Sequence, residues 1–96
     1  MILVKFHKST HLVVAICDKD LIGRVIQEGN MEIKVSEYFY KGEEKTEEEV
    51  SKIMEKYDNL NILGKESVGL ALKLGVIDKE NTLLIDRVPH AQRISC

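Results

Sequence analysis

The sequence is poor in several features, and each absence restricts what the protein can be. Its two cysteines, Cys17 and Cys96, are too few for a disulfide framework, so we expect a reducing cytoplasm. No apolar run approaches the roughly 20 residues that a membrane span requires. The N-terminal segment MILVKFHK lacks the layout of a signal peptide. We therefore expect a cytoplasmic protein with no membrane partner.

Closely spaced pairs of metal ligands are also missing. A structural zinc site usually takes its ligands in pairs separated by about two to five residues. His7 and His11 have such a spacing, but they flank a predicted hairpin turn. Two solvent-exposed histidines at a turn are the simpler interpretation, and we expect no metal and no cofactor.

A basic excess is absent as well. The 14 lysines and arginines are outnumbered by 16 aspartates and glutamates, which gives a net charge of -2. Binding through phosphate neutralisation favours a basic surface, so we expect no DNA partner and only a local basic patch. Hydrophobic residues make up 44% of the 96 residues and charged residues 31%. This balance predicts one globular domain over residues 1–96 with its own core.

The first third of the chain predicts strands. Residues 2–6 predict a strand with Ile2, Val4 and Phe6 on one face, and residues 11–17, HLVVAIC, are apolar on both faces, which favours a central strand. The short connection between them favours an antiparallel hairpin. Residues 18–30 allow two interpretations: a helix capped by Asp18, or one helical turn at 18–23 followed by an extended segment. We slightly prefer the second, with a turn at Gly29-Asn30 and a further strand at 31–35.

Two helices are predicted in the middle of the chain. Residues 46–57 carry a capping box, T-x-x-E, before an apolar stripe at helical spacing. A second helix is predicted over 61–74, ended by Gly75. Residues 82–86 predict a late strand. We therefore expect an α+β fold, a mostly antiparallel sheet of four to five strands packed against two helices.

The segment RVPHAQR, residues 87–93, has the strongest claim to chemistry. Arg87 and Arg93 can bind anions. His90 is the side chain best suited to titrate near neutral pH, and Gln92 beside it can donate and accept hydrogen bonds. We take His90 as the candidate acid–base group. Because Pro89 lacks an N–H, the segment is expected to be an edge strand or a strand end, and a soluble edge that resists aggregation is the alternative interpretation.

Four spaced motifs span nearly the whole chain: ICDKDLIGR, EGNMEIKVSEYFYKGE, NILGKESVGLALKLGVI and VPHAQ. In these motifs the sequence resembles a small archaeal family catalogued as a domain of unknown function, the four-hundred-and-twenty-fourth in its series. The resemblance implies a compact cytoplasmic α/β protein of one domain. Among the matching positions, Asn61, Pro89, His90 and Gln92 have no evident structural reason, which strengthens the hypothesis of a site in the C-terminal segment.

Three functions from different classes follow from these observations. The first is a non-catalytic binding module that associates with RNA or the translation machinery, with a binding site formed by Asn61, Arg87, His90, Gln92 and Arg93. The second is a small enzyme or ligand-binding protein whose pocket contains His90, Gln92 and Asn61. The third is a protein–protein adaptor, including a homodimer formed through an edge strand.

Overall fold

The computed structural model describes residues 1–94, and over this range the chain forms eight strands and three α-helices. None of these helices has the length and apolar character needed to cross a membrane. Two single turns of 3-10 helix precede β3 and β7, at Lys19–Leu21 and Lys79–Asn81. The elements in chain order are β1 Ile2–Lys8, β2 Leu12–Asp18, β3 Val25–Glu28, β4 Met31–Lys34, α1 Glu37–Tyr40, β5 Glu43–Lys45, α2 Glu47–Lys56, β6 Leu60–Leu63, α3 Lys65–Leu74, β7 Thr82–Ile85 and β8 Val88–Arg93.

Six of the strands form one mixed sheet in the order β5-β1-β2-β6-β8-β7. Neighbouring strands in this sheet run antiparallel, except that β2 and β6 run parallel at its centre. The two remaining strands, β3 and β4, pair with each other as a separate antiparallel hairpin. The predicted α+β class and the mostly antiparallel sheet agree with this architecture, whereas the prediction of four to five strands is too low.

A core lies on each face of the large sheet. On one face, α2 and α3 cover alternate residues of the strands, and the buried set includes Ile2, Val4, Val14, Ile16, Val50, Met54, Leu60, Ile62, Val68, Ala71 and Ala91. On the other face, the β3–β4 hairpin and α1 cover the intervening residues, and that set includes Ala15, Cys17, Leu21, Ile26, Val35, Tyr40, Leu63, Ile85 and Val88. Strand β2 is covered on both faces, so neither face needs polar side chains. Its apolar sequence predicts this central position.

The sequence predictions of the β1–β2 hairpin, of the β3–β4 region and of α2 are confirmed. Residues 18–30 follow the preferred interpretation, with one helical turn, then β3, then a turn at Gly29-Asn30. Thr46 and Glu49 form the predicted capping box, in which the Thr46 hydroxyl accepts from the Glu49 N–H and the Glu49 carboxylate accepts from the Thr46 N–H. These features depend on contacts between residues close in sequence, which explains why the pattern alone predicts them.

The prediction of one helix over 61–74 is wrong in its first turn. Leu60–Leu63 is strand β6, paired with β2 on one side and β8 on the other, and the helix begins only at Lys65. Gly64 separates the two elements with φ of 112°, a value that favours glycine. The pattern of apolar residues cannot distinguish four buried strand residues from the first turn of a helix.

Of the two predicted alternatives for the C-terminal segment, an edge strand or a strand end, the edge strand is wrong. Strand β8 hydrogen-bonds to β6 on one side and to β7 on the other, so β7 forms the edge. Pro89 is the second residue of β8, next to the position that pairs with Leu63, the last residue of β6. Its missing N–H is therefore tolerated at a strand end, which was the other alternative.

Asp18 connects the centre of the sheet to α3. Its carboxylate accepts hydrogen bonds from the N–H groups of Glu66 (3.0 Å) and Ser67 (2.8 Å) and from the Ser67 hydroxyl (2.7 Å). The helix has Gly64 at its N-cap, a residue without a side chain that could do this. Asp18, the last residue of β2, therefore caps a helix that begins far away in sequence.

We expect Gly64→Ala to destabilise the protein by roughly 2–4 kcal/mol, because it combines backbone strain with loss of the cap. A Cβ at this position would lie 2.3 Å from the Asp18 carboxylate carbon. Urea denaturation followed by circular dichroism measures the effect. Gly69→Ala is the matched control in the same region, since a Cβ there meets nothing within 4 Å, and it should stabilise the protein by about 0.5–1 kcal/mol. Equal effects of the two substitutions would contradict this account of Gly64.

Candidate functional site

A cavity lined mainly by charged residues lies where the parallel strands β2 and β6 end. After β2 the chain turns towards the face covered by the β3–β4 hairpin, and after β6 it turns towards the face covered by α3. Connections that leave two neighbouring strands in opposite directions open a crevice at the carboxyl ends of these strands, a common place for ligands. The crevice has a volume of about 790 Å³, which is within the usual range for ligand sites.

Charged side chains dominate the wall of this crevice. It is lined by Met1, Asp18, Lys19, Asp20, Leu21, Arg24, Lys65, Glu66, Asp86, Arg87 and Val88. The Asp18 carboxylate already occupies the N–H groups at the start of α3, so an anion cannot use them. Lys19 forms an ion pair with Glu44 at 2.8 Å.

Three cationic side chains remain available on this wall. Arg24, Lys65 and Arg87 make no ion pair with any of residues 1–94. They come from three separate elements: the segment before β3, the first turn of α3 and the β7–β8 turn. The crevice therefore combines a small apolar floor at Leu21 and Val88 with three unpaired cations.

A second polar cluster lies on the hairpin face of the sheet, around Asn61. The Asn61 Oδ1 atom accepts a hydrogen bond from the Tyr40 hydroxyl at 3.1 Å and lies 3.1 Å from His90 Nε2. Since Oδ1 can only accept, the second contact requires the proton of a neutral His90 ring to be on Nε2, which leaves Nδ1 as an acceptor. Gln92 lies directly opposite Asn61 in the β6–β8 ladder.

Burial fixes the protonation states in this cluster. The His90 ring is half-buried, and burial lowers its pKa, which favours the neutral imidazole at neutral pH. Burial raises the pKa of Tyr40 to about 12, so its hydroxyl keeps the proton that it donates to Asn61. The cluster is therefore a neutral hydrogen-bonded network at physiological pH.

The predicted site residues are brought together only in part. Asn61, His90 and Gln92 lie side by side, and Asn61 and Gln92 border a groove of about 410 Å³ that also contains Arg93. Arg87 lies at the other end of β8, roughly 20 Å away by the rise of a strand over six residues, and lines the carboxyl-end crevice instead. Arg93 donates to the Val76 carbonyl at 3.4 Å. The two arginines therefore cannot act on one ligand group.

Neither a nucleophile nor a metal centre is evident in the described residues. Cys17 is fully buried, and burial raises the pKa of its thiol to about 12, so it stays protonated. The His7 ring contacts the Phe39 carbonyl at 2.8 Å and stacks on the Phe39 ring. Residues 1–94 contain no group of three or more histidine, cysteine or acidic side chains placed to hold a metal ion.

Sequence reasoning missed three features of these sites. The link between Tyr40 and Asn61 depends on tertiary packing, and no local pattern predicts it. Lys65 belongs to a G-K-x-S fragment that lacks the rest of a phosphate-loop motif, so the motif alone does not predict a site there. The sequence pattern suggests Asp18 only as the cap of a helix within residues 18–30, whereas it caps α3. Gly64 at the N-cap of α3 has no side chain, and this is the one local sign that a distant side chain must cap the helix.

Comparisons with known proteins place these observations in context. A family model described as "Protein of unknown function (DUF424)" matches residues 6–95. A crystal structure of an uncharacterized conserved protein from Methanopyrus kandleri is similar to this chain, with a TM-score of 0.79 and 26% sequence identity, and the alignment covers 95% of this chain and 88% of that one. No curated protein matches the chain.

We expect the stability that depends on His90 to decrease as the pH falls. The folded state lowers the pKa of the ring, whereas the unfolded chain titrates near about 6.5. The unfolded state therefore binds a proton that the folded state resists, and this contribution is complete above the unfolded pKa and is lost as pH falls through the folded pKa. His90→Gln should cost about 0.5–1.5 kcal/mol at neutral pH.

The measurement is the free energy of unfolding of both proteins between about pH 7.5 and 5. Wild type should lose more stability over this range than His90→Gln, because the rest of the chain is identical in the two proteins and its contribution cancels in the difference. Parallel pH profiles would show that burial of His90 does not affect folding.

Proposed function

The chain belongs to the DUF424 family, and we propose that it is an RNA-binding module that contacts phosphates in the carboxyl-end crevice. The observation that carries this proposal is the convergence of Arg24, Lys65 and Arg87 on one cavity wall without partner carboxylates among residues 1–94. Unpaired cations beside an apolar floor suit a ligand that has both phosphates and bases or sugars.

The overall charge of the protein supports a local contact over an extended one. With a net charge of -2, the protein as a whole repels a polyanion. Binding must therefore come from a few contacts within the crevice, about one phosphate for each of its three unpaired cations. Asp20 and Asp86 on the same wall can accept hydrogen bonds from base amino groups.

We also propose a cytoplasmic location in an archaeal cell. The low cysteine content favours a reducing compartment. The similar structure from Methanopyrus kandleri supports the archaeal source.

We expect binding of a short single-stranded RNA to weaken as salt rises, with a slope of log affinity against log salt of about −2 for three phosphate contacts. Fluorescence anisotropy over a salt series measures this slope. Each of Arg24→Ala, Lys65→Ala and Arg87→Ala should weaken binding and reduce the slope by about 0.7.

Lys73→Ala is the matched control for Lys65→Ala, because the two lysines lie in the last and first turns of α3. It should leave both affinity and slope unchanged. Loss of binding in Arg93→Ala, with no effect of the three crevice substitutions, would move the RNA to the far end of β8 and contradict the proposal. Binding that does not depend on salt would contradict it as well.

A second candidate function is a small enzyme or ligand-binding protein that uses the Asn61 cluster. It is favoured by the observation that Asn61 lies beside His90 and Gln92, although 29 positions separate it from His90 in sequence, and by the groove that Asn61 and Gln92 border. A neutral His90 with a free Nδ1 could accept a proton or a hydrogen bond from a ligand. Cys17 is buried in the core and cannot act as a nucleophile. This candidate function therefore relies on acid–base chemistry or on ligand binding, without a covalent intermediate at Cys17.

A thermal-shift screen against nucleotides and metabolites tests this second candidate. We expect a stabilising compound whose effect is abolished by His90→Ala and by Gln92→Ala but retained in Arg24→Ala, because Arg24 lines the other cavity. A stabilising compound that depends on Arg24 and not on His90 would assign the ligand to the crevice. A screen with no stabilising compound would argue against the candidate.

A further inference from the structure

The turn between β7 and β8 has an unusual backbone. Ile85 pairs with Val88, so Asp86 and Arg87 are the two residues of a tight hairpin turn. Both have positive φ, 48° for Asp86 and 66° for Arg87. Hairpin turns of two residues favour this conformation, and glycine is the usual second residue because it has no Cβ to clash. Arginine at this position is held in a conformation that glycine would adopt more easily.

The turn is also held in place from outside. The Glu28 Oε1 atom accepts a hydrogen bond from the Asp86 N–H at 2.7 Å. Glu28 is the last residue of β3, and Arg24 immediately precedes this strand. One hydrogen bond therefore links the segments that carry the two arginines of the crevice wall.

Arg87 has no structural role that would explain its presence in this turn. Its side chain is exposed, it makes no ion pair with the described residues, and it lines the crevice. Unfavourable backbone conformations that are held by the surrounding structure are frequent at binding sites. The planar guanidinium also matches two oxygens of a phosphate group, which a glycine at the same position could not bind.

We propose that the β7–β8 turn is a preorganised phosphate clamp, in which Arg87 binds the phosphate and Glu28 is the positioning residue that holds the turn. This inference rests on the proposed function and adds to it the residue that recognises the anion. A backbone that already has its bound conformation loses less conformational entropy on binding. The shared chemistry is a phosphate group, whether it belongs to an RNA or to a free ion.

The test compares two substitutions that remove the same guanidinium. Arg87→Gly relieves the positive φ, whereas Arg87→Ala keeps a Cβ in the same conformation. Both should weaken binding of a 5′-phosphorylated oligoribonucleotide by about tenfold or more, the loss of one charge-assisted hydrogen-bonding group. Only Arg87→Gly should raise the midpoint of urea unfolding above that of wild type.

Glu28 is tested by a second pair. Glu28→Gln keeps an oxygen acceptor for the Asp86 N–H and should bind the oligoribonucleotide nearly as wild type does. Glu28→Ala removes the acceptor and should weaken binding several-fold although its side chain lies outside the crevice wall. Equal binding by these two variants would overturn the positioning role.

Inorganic phosphate, measured by its effect on the thermal midpoint, separates failure of the clamp from failure of the proposed function. Wild type that is stabilised by phosphate through Arg87, but does not bind RNA, would overturn RNA binding and support the clamp. RNA binding that is unaffected in Arg87→Gly, or an Arg87→Gly protein no more stable than Arg87→Ala, would overturn the clamp. Absence of binding of both probes would overturn both.

Discussion

The buried carboxylate of Asp18 is the interaction on which the rest of the structure depends. It lies at the end of β2 and accepts three hydrogen bonds from the start of α3, with both of its oxygens in use. This contact fixes the helix against the parallel pair β2–β6, and it requires the absence of a side chain at Gly64. It also determines the chemistry of the crevice, because an internal anion takes the place that a ligand phosphate could otherwise occupy at the helix N-terminus.

The parts of the fold that the sequence predicts are those held by local contacts. The β1–β2 hairpin, the turn at Gly29-Asn30 and the capping box of α2 each involve residues a few positions apart. The sequence pattern does not predict strand β6 or the position of β8 inside the sheet, because both depend on pairing between distant segments. Four apolar residues such as Leu60–Leu63 have no period of their own that would distinguish a strand from a helix.

The candidate sites, like the fold, could be predicted only as far as local sequence determines them. Types of residue suited to chemistry, such as His90 and Gln92, were identifiable from the sequence, and their common face follows from the alternation of a strand. Their contact with Asn61 depends on the register between β6 and β8, which no local pattern contains. Arg87 and Arg93 show the opposite relation: they are close in sequence but far apart in space, because an extended strand separates its two ends.

The parallel pair at the centre of the sheet has a kinetic consequence. Val14 pairs with Leu60, and the hairpin, α1, β5 and α2 all lie between these two residues in the chain. Closing such a long loop costs entropy before the contact contributes any stability. The β2–β6 pair should therefore form more slowly than the β1–β2 hairpin. The crevice borders β2 and β8 at Asp18 and Val88, and the Asn61 groove borders β6 and β8 at Asn61 and Gln92, so neither can form before β8 is in place. A nascent polypeptide would acquire these two candidate sites only after β8 had been synthesised and had docked.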